Sequence, residues 1–379
     1  MNRRERLRAS IEGRAVDRPP VCFYEINGYD EKPDDPDPLN IYSHPSWKPA
    51  LDLAREKTDR IVMRPLPWKN GVTDPVTALR RETREWIEGS LFLTETVEGA
   101  GHSFIRRARR DPDVNTWWVL DHYLKDADDL QTWLALMPPS GPPEGEPDEE
   151  SIRRVERDLG DTGIVMLNVG DPLYWAAKLF DMATFTLVAT LEPELFHAAL
   201  EWRLQTLLPQ VEAVARALPG RLWRIVGPEF ASPPYLSPRL FREYVTCYDT
   251  PIVEAIQKHG GFARIHSHGR LCAILDDIAA TGCTGLDPIE PPPQGDVELS
   301  WVRERYGRQM TLFGNLEASD LENLETPRFR EKIAAALREG TVGEGRGFVL
   351  QPSACPYGRV LSDRALRNYE AMVEMVEGM

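Results

Sequence analysis

His266 and His268 stand two residues apart in FARIHSH (262–268), in a chain with seven histidines in all. Alternate residues of a strand point to one face, so both imidazoles can project to the same side and share one metal ion. Zinc takes imidazole, thiolate and carboxylate ligands in a tetrahedron and keeps one position open when catalytic. Glu290 and Cys355 are the candidates to complete that set with His266 and His268. The bland alternative is a His266 hydrogen-bonded in the core and a His268 capping a loop. Glu229, in GPEFASPPYLSP (227–238), is a further candidate for contact with a reacting molecule. Glu25, Asn27, Arg64, Asn168, Asp171, Asn315 and Glu317 lie at or near the ends of apolar runs and are candidate substrate contacts. Two of these have simpler uses. Asp171 precedes Pro172 and can cap a helix, and Arg64 can pair with Glu25 or another carboxylate.

Such residues need strands to hold them. Eight short β-branched or aromatic runs are present: VCFYEI (21–26), RIVMRPL (60–66), GIVMLNV (163–169), RLWRIVG (221–227), FARIHSH (262–268), TGLDPIE (284–290), MTLFGNL (310–316) and GFVLQPS (347–353). Their near-continuous apolar character suits strands covered on both faces. Amphipathic stretches between them, 191–218 and 238–259 among others, read as helices, and Ser362 can cap a last helix ending near 377. Asp171-Pro172, Ser237-Pro238 and Thr326-Pro327 each place a capping side chain before a proline at the first helical position. Alternating strands and helices predict an α/β fold, a (β/α)8 TIM barrel forming a single domain over 1–379. In such a barrel the reacting residues sit at the C-terminal strand ends.

The stretch 67–150 is too long for one crossover and predicts an insertion after the second strand. Within it, 91–98, 103–109 and 116–120 alternate like antiparallel strands, read as a β-hairpin that turns at Gly99-Ala100-Gly101. A helix near 128–137 and an acidic, proline-rich loop at 138–150 follow, and Trp117 and Trp118 are expected to pack this insert. No repeat at a fixed period suggests a solenoid.

Charge and cysteine usage narrow the classes. A net charge of −15 disfavours nucleic acid and anionic lipid as partners. No apolar run is long enough to span a bilayer. Five scattered cysteines without a CxxC pair argue against a disulfide framework and for a reducing cytoplasm.

The segments RRERLRASIEGRAVDRPPV (3–21), ARIHSHGRLCAILDDIAATGCTGLDPIEPPPQGDVEL (263–299), FGNLE (313–317) and GFVLQPSACPYG (347–358) resemble the uroporphyrinogen decarboxylase superfamily. The resemblance implies a (β/α)8 barrel and one of two chemistries. These are cofactor-free decarboxylation of a porphyrinogen, and methyl transfer between a corrinoid and an acceptor activated by zinc. Decarboxylases of the superfamily carry an arginine-rich loop after the first strand. The corresponding place here is Tyr24-Glu25-Ile26-Asn27-Gly28-Tyr29-Asp30, whose carboxylates would repel a polycarboxylate substrate. The methyltransferase branch carries His-x-Cys-Gly and a later cysteine. This chain has His266-Ser267-His268-Gly269, and Cys355 lies one residue beyond the expected column, which Ala354 occupies.

The resemblance therefore implies a zinc-dependent methyltransferase acting on a small molecule. His266, His268 and Glu229 would be at its centre, with Glu290 or Cys355 helping to hold the ion. Asn168, Asn315 and Tyr235 would orient a methyl donor, delivered by a separate corrinoid protein, and a homodimer is implied as well. The alternatives are a metal-free decarboxylase or lyase using Arg64 and a carboxylate, and a non-catalytic small-molecule-binding barrel.

Overall fold

The computed structural model describes residues 1–70, 75–99, 101–137 and 144–379. The strand β1 (Arg60–Pro65) is followed by an excursion made of β2 (Arg80–Ile87), β3 (Ser90–Gly99), β4 (His102–Arg110) and β5 (Trp117–Asp121). The chain then returns as β6 (Gly163–Gly170), β7 (Leu222–Val226), β8 (Phe262–Ser267), β9 (Gly285–Pro288), β10 (Thr311–Leu316) and β11 (Phe348–Pro352). Among the described residues, β1 and β6 to β11 form one curled seven-stranded sheet, every neighbour parallel and in chain order. Helices separate successive strands from β6 onward and cover the sheet, so the molecule is α/β. Strands buried on both faces explain why their sequences read as apolar runs rather than as alternations.

The run at 21–26 is not a full strand. Val21 makes an isolated parallel bridge to Leu350 on β11, and the Asp59 N–H, just before β1, donates to the Val21 carbonyl at 2.8 Å. The segment is cut short because Tyr24 takes φ 54° and turns the chain away, a left-handed conformation that a bulky side chain seldom adopts.

The excursion is larger than the hairpin read from sequence. It is a four-stranded antiparallel sheet in the order β2–β3–β4–β5. Its inner face, with Val97 and Phe104, packs on Trp133 of the helix Ala127–Leu136. Trp117 and Trp118 stay substantially exposed instead of packing the insert. The turn residue Ala100 and residues 138–143 of the proline-rich loop lie outside the described residues.

Capping chemistry sets several helix starts. Asp171 accepts from the Tyr174 N–H at 2.5 Å, Ser237 from Leu240 and Ser362 from Ala365. At the third proline site Glu325, not Thr326, occupies the capping position. The stretch read as one helix over 191–218 is Met182–Leu191 followed by Pro193–Ala217. At the opposite end of the sheet the helix Arg3–Ile11, begun by a capping box between Asn2 and Glu5, lays Leu7 and Ile11 across Ile61, Met166, Leu222, Phe313 and Val349. No helix among the described residues is long and apolar enough to cross a membrane.

Candidate active site at the strand ends

Register places the first group. His266 on β8 lies directly opposite Asp287 on β9, and its Nδ1 is 2.8 Å from the Asp287 carboxylate. Arg264, two residues earlier on the same face, donates twice to that carboxylate, both bonds at 2.5 Å. Gly285 stands opposite Arg264, where a Cβ would come within 3.1 Å of the arginine stem and 3.2 Å of the Phe313 ring. Its absence leaves room for the guanidinium, which lies 4.3 Å over that ring. All three polar side chains are buried. Burial alone would raise the Asp287 carboxyl, but Arg264 and His266 outweigh it and hold the group far below the ordinary carboxylate range. Burial lowers His266 to about 3 against the opposing pull of Asp287. A neutral ring facing a carboxylate must carry its proton on Nδ1, which leaves the Nε2 lone pair uncommitted.

His268 follows the end of β8, its ring 4.6 Å from that of His266 and nearly perpendicular to it. Its Nδ1 is 2.9 Å from Glu290, which also accepts from the Gly269 N–H at 3.4 Å. Burial would lower His268, yet the hydrogen bond and charge of Glu290 leave it raised, and Glu290 is lowered in return. Glu317 is raised to about 7, first by burial and then by Glu290 and Asp320. Glu229 is raised by burial although it accepts from the Gly227 N–H at 2.9 Å.

The third component is Arg224 on β7, in register between Asn168 on β6 and Arg264 on β8. Its guanidinium donates to Asn168 Oδ1 at 3.0 Å and to the Tyr24 hydroxyl at 2.7 Å. Among the described residues it has no carboxylate within 4.0 Å, and its Nε–H lacks a partner. A buried guanidinium in that state can receive a planar anion through charge-assisted bonds. Burial would lower it, but Tyr24, Asp287, Glu25 and Glu229 together raise it, so it stays charged. Tyr24 also lies nearly parallel to the His266 ring, 6.2 Å away. A cavity of about 140 Å³, lined by Tyr24, Glu25, Met63, Met166, Arg264 and Gln351 among others, opens beside this group.

His266, His268, Glu290, Glu317, Glu229 and Asn168 are thus linked through this network by contact or by charge. The other nominated residues have other uses. Arg64 pairs with Asp30 through two bonds of 2.7 and 2.9 Å, not with Glu25. Asn27 closes a local turn, accepting from the Tyr29 N–H and donating to Asp30. Asp171 caps its helix and faces Asp249. Tyr235 is exposed, and Asn315 is half-buried near the end of β10.

The four nominated zinc ligands are not gathered around one point among the described residues. Cys355 turns to Glu25, with Sγ 3.6 Å from the carboxylate, and burial and that charge push the thiol well up, so it is protonated. Glu290 is engaged by His268 and Gly269. Among the described residues no group of three or more His, Cys, Asp or Glu side chains is arranged to hold a metal ion. His266, His268, Glu290 and Cys355 therefore do not fit a zinc site as a set.

Sequence reasoning passed over Arg224, Arg264 and Tyr24 and gave Asp287 no role. The signal was available: an arginine in the middle of each of two otherwise apolar strands is a buried charge that needs a partner or a ligand.

A family profile described as uroporphyrinogen decarboxylase (URO-D) matches residues 118–379. The chain belongs to the URO-D family. The match takes in β6 to β11 and every residue of the histidine and arginine network except Tyr24 and Glu25. No curated protein matches the URO-D chain significantly. Among solved structures it is similar to D-psicose 3-epimerase with D-tagatose from Clostridium cellulolyticum H10, at 11% identity over 62% of this chain and 94% of that one, TM-score 0.31. It is also similar to the Bacillus subtilis YkuI protein, with an EAL domain, in complex with substrate c-di-GMP and calcium, at 12% identity over 80% of this chain and 65% of that one, TM-score 0.27. Likenesses this distant carry no argument about the activity of the URO-D protein. Its family includes enzymes, and the site has the buried charge and oriented imidazole that catalysis uses.

Proposed function

We propose that this URO-D protein is a methyltransferase acting on a small, carboxylate-bearing acceptor. The observation that supports the reading is the line Arg264–Asp287–His266 ending in an uncommitted Nε2 near Arg224, whose charge reaches His266. Arg224 takes the acceptor's carboxylate. His266 Nε2, kept weakly basic by burial, accepts the proton that becomes strongly acidic once the nucleophilic atom has bonded to the methyl carbon, and the methyl leaves its donor without the bonding electron pair. Asp287 stabilises the imidazolium that results. The donor is external, and a corrinoid presented by a separate protein has the required chemistry. The seven parallel strands with the 21–23 segment are read, for this purpose, as a closed eight-membered barrel with its mouth at these strand ends.

Decarboxylation is the second reading, and Glu317 favours it: a carboxyl at about 7 beside His268 can protonate the carbanion left by CO₂. Arg224 weighs against it, because a carboxylate held by a guanidinium is stabilised in the state that must lose its charge. Assays of candidate acceptors for methylated product and for CO₂ release separate the two. His266→Ala is expected to lower kcat about 10²–10⁴-fold, and Arg224→Gln to raise KM by about tenfold or more. Methylation that survives both substitutions overturns the proposal. Transfer abolished by a chelator and restored by zinc would assign the imidazoles as ligands and remove the base role.

A further inference from the structure

A second region of the molecule has ligand-binding features and shares no residue with the histidine and arginine network. Between the antiparallel sheet and the helix Pro172–Ala177 lies a cavity of about 380 Å³, lined by Arg80, Arg106, Lys178 and Trp133 among others. Arg106 and Lys178 also border an adjoining space of about 330 Å³ walled mainly by Val119, Ala177, Phe180, Met182 and Phe230, with His122 at its edge. The two spaces therefore meet at a pair of cations, one side aromatic and polar, the other apolar.

The charge balance there runs against that of the whole chain. Arg80 and Arg106 both bond to the buried Glu95, at 3.0 and 2.5 Å. Lys178 has no carboxylate within 4.0 Å among the described residues; its ammonium donates to the Tyr174 hydroxyl and lies 4.8 Å over that ring. One carboxylate thus faces several cations in a protein of net charge −15. Trp133, fully buried and lining the larger cavity, has an indole N–H with no acceptor among the described residues. A buried donor without a partner is unfavourable.

We infer that this double cavity binds an amphipathic aromatic carboxylate. The carboxylate sits at Lys178 and Arg106, and the ring system extends into the apolar side. The site stands apart from the strand-end reaction centre and does not depend on the methyltransferase reading.

Isothermal titration calorimetry of the full chain with 1-naphthoate and with 1-naphthalenemethanol tests it. Saturable binding of the naphthoate, much weaker binding of the uncharged alcohol, and a loss of about tenfold in Lys178→Gln are expected. Lys178 is solvent-exposed, so its substitution leaves the fold intact, and Lys178→Glu should weaken binding further. His268→Ala should bind naphthoate as the parent does. Absence of saturable binding, equal affinity in parent and Lys178 variants, or loss of binding in His268→Ala instead would overturn the assignment.

Discussion

Arg224 and Arg264 occupy the same level of neighbouring strands, yet one is neutralised and the other is not. Arg264 spends its fork on Asp287 and so governs which nitrogen of His266 carries hydrogen. Among the described residues Arg224 meets only a tyrosine hydroxyl, an amide and a thioether at longer range, and keeps its charge for a visitor. Breaking the first pair should show as misfolding before it shows as slow chemistry. Asp287→Asn would leave Arg264 charged, buried and unanswered, at a cost of about 3–5 kcal/mol, read as a lowered denaturation midpoint. The carboxyl pair Asp171 and Asp249 makes the opposite case. Burial raises both well above the ordinary value of 3.8, so the folded protein holds protons that the unfolded chain releases. Stability from this pair is present below that value and is lost as pH climbs toward the raised folded value. Asp249→Asn should therefore melt higher than the parent, by a margin that widens between about pH 5 and 8, at most about 1.4 kcal/mol per pH unit for one proton. The histidines were legible in the sequence because two imidazoles at alternate positions of a strand can hardly avoid each other. The contact of Cys355 with Glu25 was not legible, because spacing along the chain does not say which side of the rim a loop residue faces.

At the scale of elements, six of the expected runs became strands within one residue of their expected bounds, because burial on both faces writes itself into composition. The run 284–290 became the shorter β9 (Gly285–Pro288), and 21–26 became only a bridge because a left-handed Tyr24 overrides β-branched propensity. The four-stranded meander was read as a hairpin because β2 is charged and exposed along most of its length, which leaves no apolar alternation to see. Gly227, between β7 and Glu229, joins element to site. Its φ is 138°, and an added Cβ would fall 1.9 Å from Asp171 Oδ1. Gly227→Ala should lower stability by roughly 1–3 kcal/mol through backbone strain alone, with a further loss from the displaced cap, measured by urea denaturation. A variant as stable as the parent would show that the Asp171 cap can give way without consequence.

For the molecule as a whole, the sheet has two unlike ends. One is polar and carries the imidazoles. The other is closed by Leu7 and Ile11 of the first helix against residues from five strands. Leu7 is fully buried, so Leu7→Ala should lower stability by about 2–5 kcal/mol while leaving the KM of the remaining folded enzyme unaltered. A shifted KM would mean that the two ends communicate. In the closed barrel proposed above, a base stoppered by hydrocarbon leaves a single doorway. Whatever forms inside must retreat along the path by which its precursor arrived, and the departing molecule bars the next arrival. Accumulated product should then act as a competitive inhibitor, slowing turnover most when fresh substrate is scarce.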